Sequence, residues 1–419
     1  MHTKHLLHHL ILIGLLIFSF MLGAISNQIG ILPQIMDVHA DNTSLKFDVF
    51  MEAWQLIETH FIDRDKIDSD ELTYIALKAI TDALGDEGHT RFMTPDESQS
   101  HKESLQGSFF GIGIYLGLDR KDRPFVINPI EGTPAYRAGI KAGDLFIAVE
   151  GEDATAWTVD EIARNVKGPK NTPVEITFLH QYETKPYTVT IIRDKIVIPV
   201  VDWTFIPNSD IALIRFVSFS ETANDEMKKA LTEAQAQGAT AIILDIRSNN
   251  GGLLSQSIEV ASQFIAEGVV LQQADVNNKR NKYSVYPGGI AHDIPLVILV
   301  NQFSASAAEI LAGAIQDHKR GTIIGETTFG TGTVLTPFTL SDGSQLLLGT
   351  SEWLTADGRQ IRNKGITPDI IVKLPNYGIF LSPNYVEQLS MDELFQKGDI
   401  QLIKAIEFLR DHWGCEGCL

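Results

Sequence analysis

The sequence predicts an α/β fold: a largely parallel sheet, a strand-rich module inserted ahead of it, a small helical region and an N-terminal membrane anchor. Three observations predict it. After Lys195, strand-like and helix-like patterns alternate. From Gly107 to about Arg193 the apolar period is near two, broken by one or two short helical stretches. From Asp48 to Leu84 apolar residues return at three- and four-residue steps.

The anchor comes first. Leu10–Ile25 is almost unbroken apolar sequence, extendable through Leu6 and Leu7, against about 20 residues needed to span a bilayer. A cleaved signal peptide is the alternative, but no small-x-small site follows directly. Lys4 ahead of the segment places the N-terminus in the cytoplasm and the rest of the chain outside it. The helical region follows, carried by Phe50, Trp54, Ile57, Leu72, Ile75, Leu77, Ile80 and Leu84, and ends at Gly85. A polar turn, G-D-E-G-H-T-R-F-M-T-P, then carries His89.

The inserted module opens on G-S-F-F-G-I-G-I-Y-L-G-L, a glycine-rich turn leading into a strand. Further strands are P-F-V-I-N-P-I, L-F-I-A-V-E-G, P-V-E-I-T-F-L and Y-T-V-T-I-I-R, with a short helix over Thr158–Val166. In the last region I-A-L-I-R-F-V-S-F, A-I-I-L-D-I, P-L-V-I-L-V and T-I-I-G are strands. Glu221–Gln237, Ser255–Glu267 and Ser306–Asp317 are helices. Repeated β-α-β order makes the sheet parallel, and ligands of such sheets sit beyond the carboxyl ends of the strands.

Composition narrows the function. Apolar residues make up 44% and the net charge is −19, so the chain is globular and a nucleic-acid surface is excluded. The only two cysteines, Cys415 and Cys418, form no disulfide framework and half a zinc site at most. No metal or organic cofactor is indicated.

Two strand ends carry chemistry. Ala241–Ile246 ends in R-S-N-N-G-G, whose glycines either make an ordinary turn or present N–H groups as an oxyanion hole. Pro295–Val300 ends in N-Q-F-S-A-S-A-A-E-I, where Ser306 is either a helix cap or a nucleophile in a strand-to-helix turn.

With these segments in place, the sequence resembles the carboxyl-terminal processing peptidases, serine peptidases with an embedded PDZ domain, from about residue 45 to about residue 375. The nucleophile segment S-A-S-A-S-E-I appears as Ser304–Ile310. The oxyanion segment D-x-R-x-N-P-G-G appears as Asp245–Gly252, and K-G-I-x-P-D as Lys364–Asp369. The resemblance implies Ser306 as nucleophile, and Gly251, Gly252 and Ala307 N–H groups as the oxyanion hole. It implies a PDZ-like domain over residues 106–194, in which Gly111, Ile112, Gly113 and Ile114 hold a peptide's terminal carboxylate while the peptide adds as a strand. The domain bounds expected are an anchor at 1–30, a helical region at 31–105, the PDZ-like domain at 106–194, a peptidase core at 195–375 and a tail at 376–419.

One segment departs from the family. T-F-G-K-G-x-V-Q appears as T-F-G-T-G-T-V-L, so Thr331 stands where the family's basic lysine belongs and Leu335 where its orienting glutamine belongs. A hydroxyl titrates far above neutral pH and cannot serve as that base. His318 lies roughly 18 Å along the helix from Ser306. His292 precedes the strand that Ser306 follows, and Lys364 belongs to a structural motif. His89 remains, as either a structural residue or the serine's base; the related tricorn-like peptidases take a histidine from this region. The expectations are therefore a membrane-anchored serine endopeptidase acting near protein C-termini, or a catalytically silent relative that binds C-terminal peptides. Substrate and oligomeric state are open.

Overall fold

The structure, a computed structural model, describes residues 47–86, 89–119, 121–180, 183–374 and 380–413. The expected anchor and both cysteines lie outside the described residues. Among the described residues no helix is long and apolar enough to cross a membrane.

The chain divides into two compact units at Leu72/Thr73. The first contains α1 (Phe47–His60), which buries none of its residues, and the start of α2 (Ser69–Asp82). Asp68 Oδ1 accepts from the N–H groups of Asp70 and Glu71, both at 3.0 Å, and so caps α2.

The second unit begins within α2 and runs through β1 (Arg91–Met93) into α3 (Pro95–Gln106). This last helix lies partly in what the sequence analysis treats as a polar turn. Its signal is T-P-D-E: Thr94 and Glu97 form a capping box and Pro95 opens the first turn. Gly107 ends it at φ +64°, and a Cβ there would lie 2.7 Å from Ser220 Oγ.

The inserted module follows: β2 (Ser108–Gly111), β3 (Ile114–Leu118), β4 (Pro124–Pro129), α4 (Pro134–Arg137), β5 (Leu145–Val149), β6 (Glu152–Asp153), α5 (Val159–Val166), β7 (Pro173–Leu179), β8 (Tyr187–Ile192) and β9 (Asp194–Val197). Its antiparallel sheet has the order β3-β4-β5-β7-β8, with β6 on β5, and β2 pairs with β9 where the chain enters and leaves. Val126, Phe146, Ile162, Ile176 and Phe178 form a core of its own.

The larger domain contains β10 (Val201–Phe205), β11 (Ile211–Phe216), α6 (Ala223–Ala236), β12 (Ala241–Asp245), α7 (Leu254–Phe264), β13 (Val269–Ala274), β14 (Arg280–Ser284), β15 (Leu296–Val300), α8 (Ala307–Asp317), β16 (Thr322–Gly325), β17 (Thr333–Thr339), β18 (Gln345–Thr355) and β19 (Ile370–Ile371). Six strands in the order β10-β11-β12-β15-β16-β19 form one sheet, parallel except for β10. Alternate residues face opposite sides. Ile242, Leu244, Ile298 and Val300 join the cluster under α6, α7 and α8, while Ile243, Val297 and Leu299 join a second cluster. A second sheet, unforeseen in the sequence, is antiparallel: β1-β18-β13-β14, with β17 on β18.

The segment beyond residue 375 is not a tail. It forms α9 (Pro383–Val386), α10 (Met391–Lys397) and α11 (Ile400–Trp413), and Leu394, Leu402, Ile406 and Leu409 complete the second cluster. The reason is simple: without them the second face of the parallel sheet would be bare. Leu409→Ala is therefore expected to destabilise the protein by about 2–5 kcal/mol in urea unfolding. A loss under about 0.5 kcal/mol would restore the segment to a dispensable tail.

Candidate active site

The strands β12, β15 and β16 are neighbours and parallel, so the loops at their carboxyl ends meet. Ala305 N–H donates to Asn249 O at 2.9 Å and Ser248 N–H to Asn301 Oδ1 at 2.8 Å. Ser304 is fully buried and donates its hydroxyl to Ile246 O at 2.9 Å, which stitches the loops together. Phe329 N–H, beyond β16, donates to Ser304 O at 3.0 Å.

Ser306 stands at the junction of β15 and α8. Its φ and ψ are 55° and −117°. That conformation is strained for a side-chain-bearing residue, at about 1–3 kcal/mol, and matches the sharp turn that lifts a nucleophilic serine off a strand end. It is half-buried, in contrast to the fully buried Ser304. Gly251 lies against it: a Cβ there would meet Ser306 Cβ and Ala307 N, each at 2.8 Å. At Gly252, φ +144°, a Cβ would lie 2.4 Å from Phe219 O. No other side chain fits either position.

The expected oxyanion donors divide. Gly251 N–H donates to Asn249 Oδ1 at 2.9 Å. It is thus occupied by its own turn and corrects the expectation that it faces the substrate. Ala307 N–H, the first of α8, and Gly252 N–H have no acceptor among the described residues. Two N–H groups beside a serine hydroxyl, one at a helix N-terminus, can stabilise a developing oxyanion.

The loop after β16 carries Thr331, buried, and leads into β17, where Leu335 is half-buried at a bulge. The loop is held by Glu309, in the first turn of α8 and fully buried. Glu309 Oε1 accepts from Gly330 N–H at 2.7 Å and from Thr328 Oγ1. Its Oε2 accepts from Thr331 N–H at 2.7 Å and from Ser306 N–H at 3.0 Å. Burial raises the Glu309 carboxyl, and these donors oppose the rise. The K-G-I-x-P-D segment backs the loop: Ile366 N–H donates to Thr328 Oγ1 at 2.7 Å and Asp369 accepts from Ile323 N–H at 2.8 Å. Lys364 itself is exposed.

His89 is also brought to this loop. It is buried, its Nδ1 lies 2.9 Å from Thr333 Oγ1, and its ring lies 5.9 Å from that of Phe329. Asp86 Oδ1 is 3.6 Å from Nδ1 and accepts from Arg362 at 2.8 Å. Burial lowers the imidazole below its ordinary value, Arg362 and Arg91 reinforce that, and Asp86 opposes it. His89 Nε2 is buried with no hydrogen-bond partner, so no hydrogen bond joins it to Ser306. His318 Nε2 is engaged with Val269 O at 2.8 Å, away from Ser306.

Comparison with known proteins shows the family. Residues 210–372 match the profile of peptidase family S41, and residues 125–179 that of a PDZ domain. The carboxy-terminal processing protease CtpA of Bacillus subtilis is 34% identical over 84% of this chain and 73% of its own. This chain belongs to the carboxyl-terminal processing group of peptidase family S41. A second S41 relative, the carboxyl-terminal-processing protease of Synechocystis sp., is 31% identical over 85% of this chain and 81% of its own. A solved structure titled photosystem II D1 C-terminal processing protease is 28% identical, covering 81% of this chain and 95% of that one at a TM-score of 0.46. Family members are serine-type hydrolases.

Glu309, Thr333 and Asp86 were not singled out in the sequence. Ser306 and Glu309 stand three apart, as in a capping box, and Asp86 stands three before His89. Both spacings are signals that were available. Glu309→Ala leaves four donors without their acceptor, and a cost of about 3 kcal/mol or more is expected in urea unfolding. Glu309→Gln, which keeps one acceptor oxygen, should fall between Ala and wild type; an unchanged Glu309→Ala would remove the clamp from the site.

Proposed function

We infer that this chain is a serine endopeptidase that takes protein C-termini in its PDZ domain and cleaves nearby, with Ser306 as nucleophile and His89 in place of the missing lysine. The observation that carries the reading is the state of His89: burial favours the neutral imidazole, Nδ1 is engaged and Nε2 is unoccupied beside the loop of Thr331. With Nδ1–H donating to Thr333 Oγ1, Nε2 is the basic atom. Ser306 Oγ attacks the peptide carbonyl and its proton passes to Nε2, directly or through one water. Catalytic hydrogen bonds are often looser in the free enzyme than in the complex. The Asp86 carboxylate stabilises the imidazolium. Ala307 and Gly252 N–H groups receive the oxyanion. His89 then protonates the departing amine, and water attacks the acyl ester with the same base.

The PDZ domain supports the recognition half. In Gly111–Ile114, Ile112 O accepts from Ala135 N–H at 2.8 Å, and Gly113 O from Ile130 N–H and Thr133 Oγ1 at 3.0 Å each. The carbonyls thus point inward, while Ile112 and Gly113 N–H groups have no acceptor among the described residues. Strand β3 pairs with β4 alone among the described strands, so its other edge is open to a peptide beside α5. We also place the chain outside the cytoplasm, held by Leu10–Ile25. Resistance of the full-length protein to alkaline carbonate extraction tests this, and its release would refute it.

Three outcomes are expected. Ser306→Ala abolishes cleavage of an unstructured protein, and His89→Gln slows it about 10²–10⁴-fold. Activity persists below pH 6.5, because the lowered imidazole stays neutral there, and falls on further acidification. Peptide affinity collapses when the C-terminal carboxylate is amidated. A second reading, a silent relative that only binds C-termini, is favoured by Thr331 and by the absence of a His89–Ser306 hydrogen bond. It is decided by the wild type: no cleavage at any pH, with activity appearing in Thr331→Lys/Leu335→Gln, would establish it.

A further inference from the structure

Arg247 is the residue from which the R-S-N-N-G-G loop leaves β12, and it is fully buried. Its Nε and one terminal nitrogen bind Asp245 Oδ1 at 2.9 Å and Oδ2 at 2.7 Å. The guanidinium also binds Asp399 Oδ1 at 2.8 Å and Oδ2 at 2.9 Å, and Gln401 Oε1 at 3.3 Å. Phe380 covers its face, 4.6 Å from Cζ. Asp399, Gln401 and Phe380 all belong to the C-terminal segment, outside residues 210–372 matched by the S41 profile.

Asp399 is itself rigidly held. It precedes α11, its Oδ1 accepts from Leu402 N–H at 3.1 Å, and its Oδ2 accepts from Leu381 N–H at 3.0 Å. Both Asp399 oxygens that face Arg247 are therefore also fixed by main-chain N–H groups of the C-terminal segment. Beyond Arg247, Ser248 takes φ +56° and the chain turns into Asn249–Gly252. The loop's other ties run to both strands that flank β12: Ser248 N–H to Asn301 after β15, and Asn249 Nδ2 to Phe216 O of β11 at 2.9 Å. Asp399 holds it from the C-terminal segment, whose helices pack on the second face of the sheet.

We propose that Asp399 is a positioning residue for the loop that presents Gly252 N–H beside Ser306, acting through Arg247. The charges balance as a closed set: Asp245 and Asp399 face Arg247 and Arg215, whose Nη1 is 2.8 Å from Asp245. Removing one carboxylate leaves a buried guanidinium half-paired at the root of the loop, and the loop must open to hydrate it. The C-terminal helices are thereby part of the site's support and not only of its stability. This proposal rests on the loop's oxyanion role given above.

The test uses full-length protein and two buried positions, Asp399 just ahead of α11 and Leu409 within it. Asp399→Asn is compared with Leu409→Ala at matched distance below their melting temperatures. Deuterium uptake is read in a peptide covering Ile246–Leu253. Asp399→Asn should exchange this segment about tenfold faster than wild type, while Leu409→Ala leaves it unchanged. Asp399→Glu, which keeps the charge, should exchange at an intermediate rate and decides the matter if Asp399→Asn does not fold. Wild-type exchange in the Asp399 variant, or equal opening in Leu409→Ala, overturns the proposal. In the same samples a fluorophosphonate probe should label Ser306 about tenfold more slowly in Asp399→Asn. A wild type that is never labelled refutes the hydrolase reading, and the exchange result still decides this one.

Discussion

The buried carboxylate of Glu309 is the contact on which the site's shape depends. It joins Ser306 N–H to the loop that carries Thr331, through four donors on two segments. A carboxylate at the start of a helix is favoured by the helix dipole, and buried donors without it would each cost about 1–3 kcal/mol. Thr331 meets Glu309 through its main-chain N–H, not its side chain. The loop therefore keeps its course whatever residue stands at 331. A second constraint acts likewise: at Gly332 a Cβ would lie 2.2 Å from Arg362 N, which requires glycine but asks nothing of its neighbour. Exchange of lysine for threonine removes chemistry without removing architecture.

His89 reaches the same loop by a different route. The Asp86 carboxylate receives Arg362, Thr90 Oγ1 and, at longer range, His89; His89 in turn meets Thr333 of β17, and Thr90 Oγ1 accepts from Gly349 N–H of β18. Burial alone would raise Asp86, but Thr90 and Arg362 together outweigh it and hold the carboxyl low. An ionised Asp86 beside a neutral imidazole is the arrangement that orients a base and stabilises it once protonated.

Some of this was legible in the sequence and some was not, for identifiable reasons. The buried strands β12 and β15 are unbroken apolar runs, and the glycines and serines at their ends stood out against them. Ser306 and Gly252 were found that way. Strand β14, R-N-K-Y-S, is mostly exposed and carries no apolar signature, so the antiparallel sheet it edges was invisible. The helices α9 and α10 are short, and what marks α10 is its cap at Ser390 and Glu393; α11, with Leu402, Ala405, Ile406 and Leu409 at three- and four-residue steps, carried a helical signal that the sequence analysis passed over. Glu309 was missed because a charge within A-A-E-I-L-A looks like an interruption of an apolar face. Only the folded chain shows the donors converging on it. The error at Gly251 has the same origin: the sequence supplies glycines, but which N–H turns outward depends on Asn249 taking one of them.

The parts that would handle the substrate share one property. The strained turn at Ser306, the N–H groups of Gly252 and Ala307, and the open edge of β3 beside Gly111–Ile114 are all main-chain features. Each is set by glycines and by strand position, and each tolerates change in the side chains around it. The base is the exception, because proton transfer needs a titratable side chain near the working pH. A chain that drifts in this family can lose its base while every other element of the site still folds correctly. The converse also follows: a base supplied from another segment needs only to reach Ser306, with no rebuilding of the scaffold. The imidazole of His89, favoured as neutral by burial, engaged at Nδ1 and without a partner at Nε2, is the candidate proposed for that task, and the proposal requires it to reach Ser306.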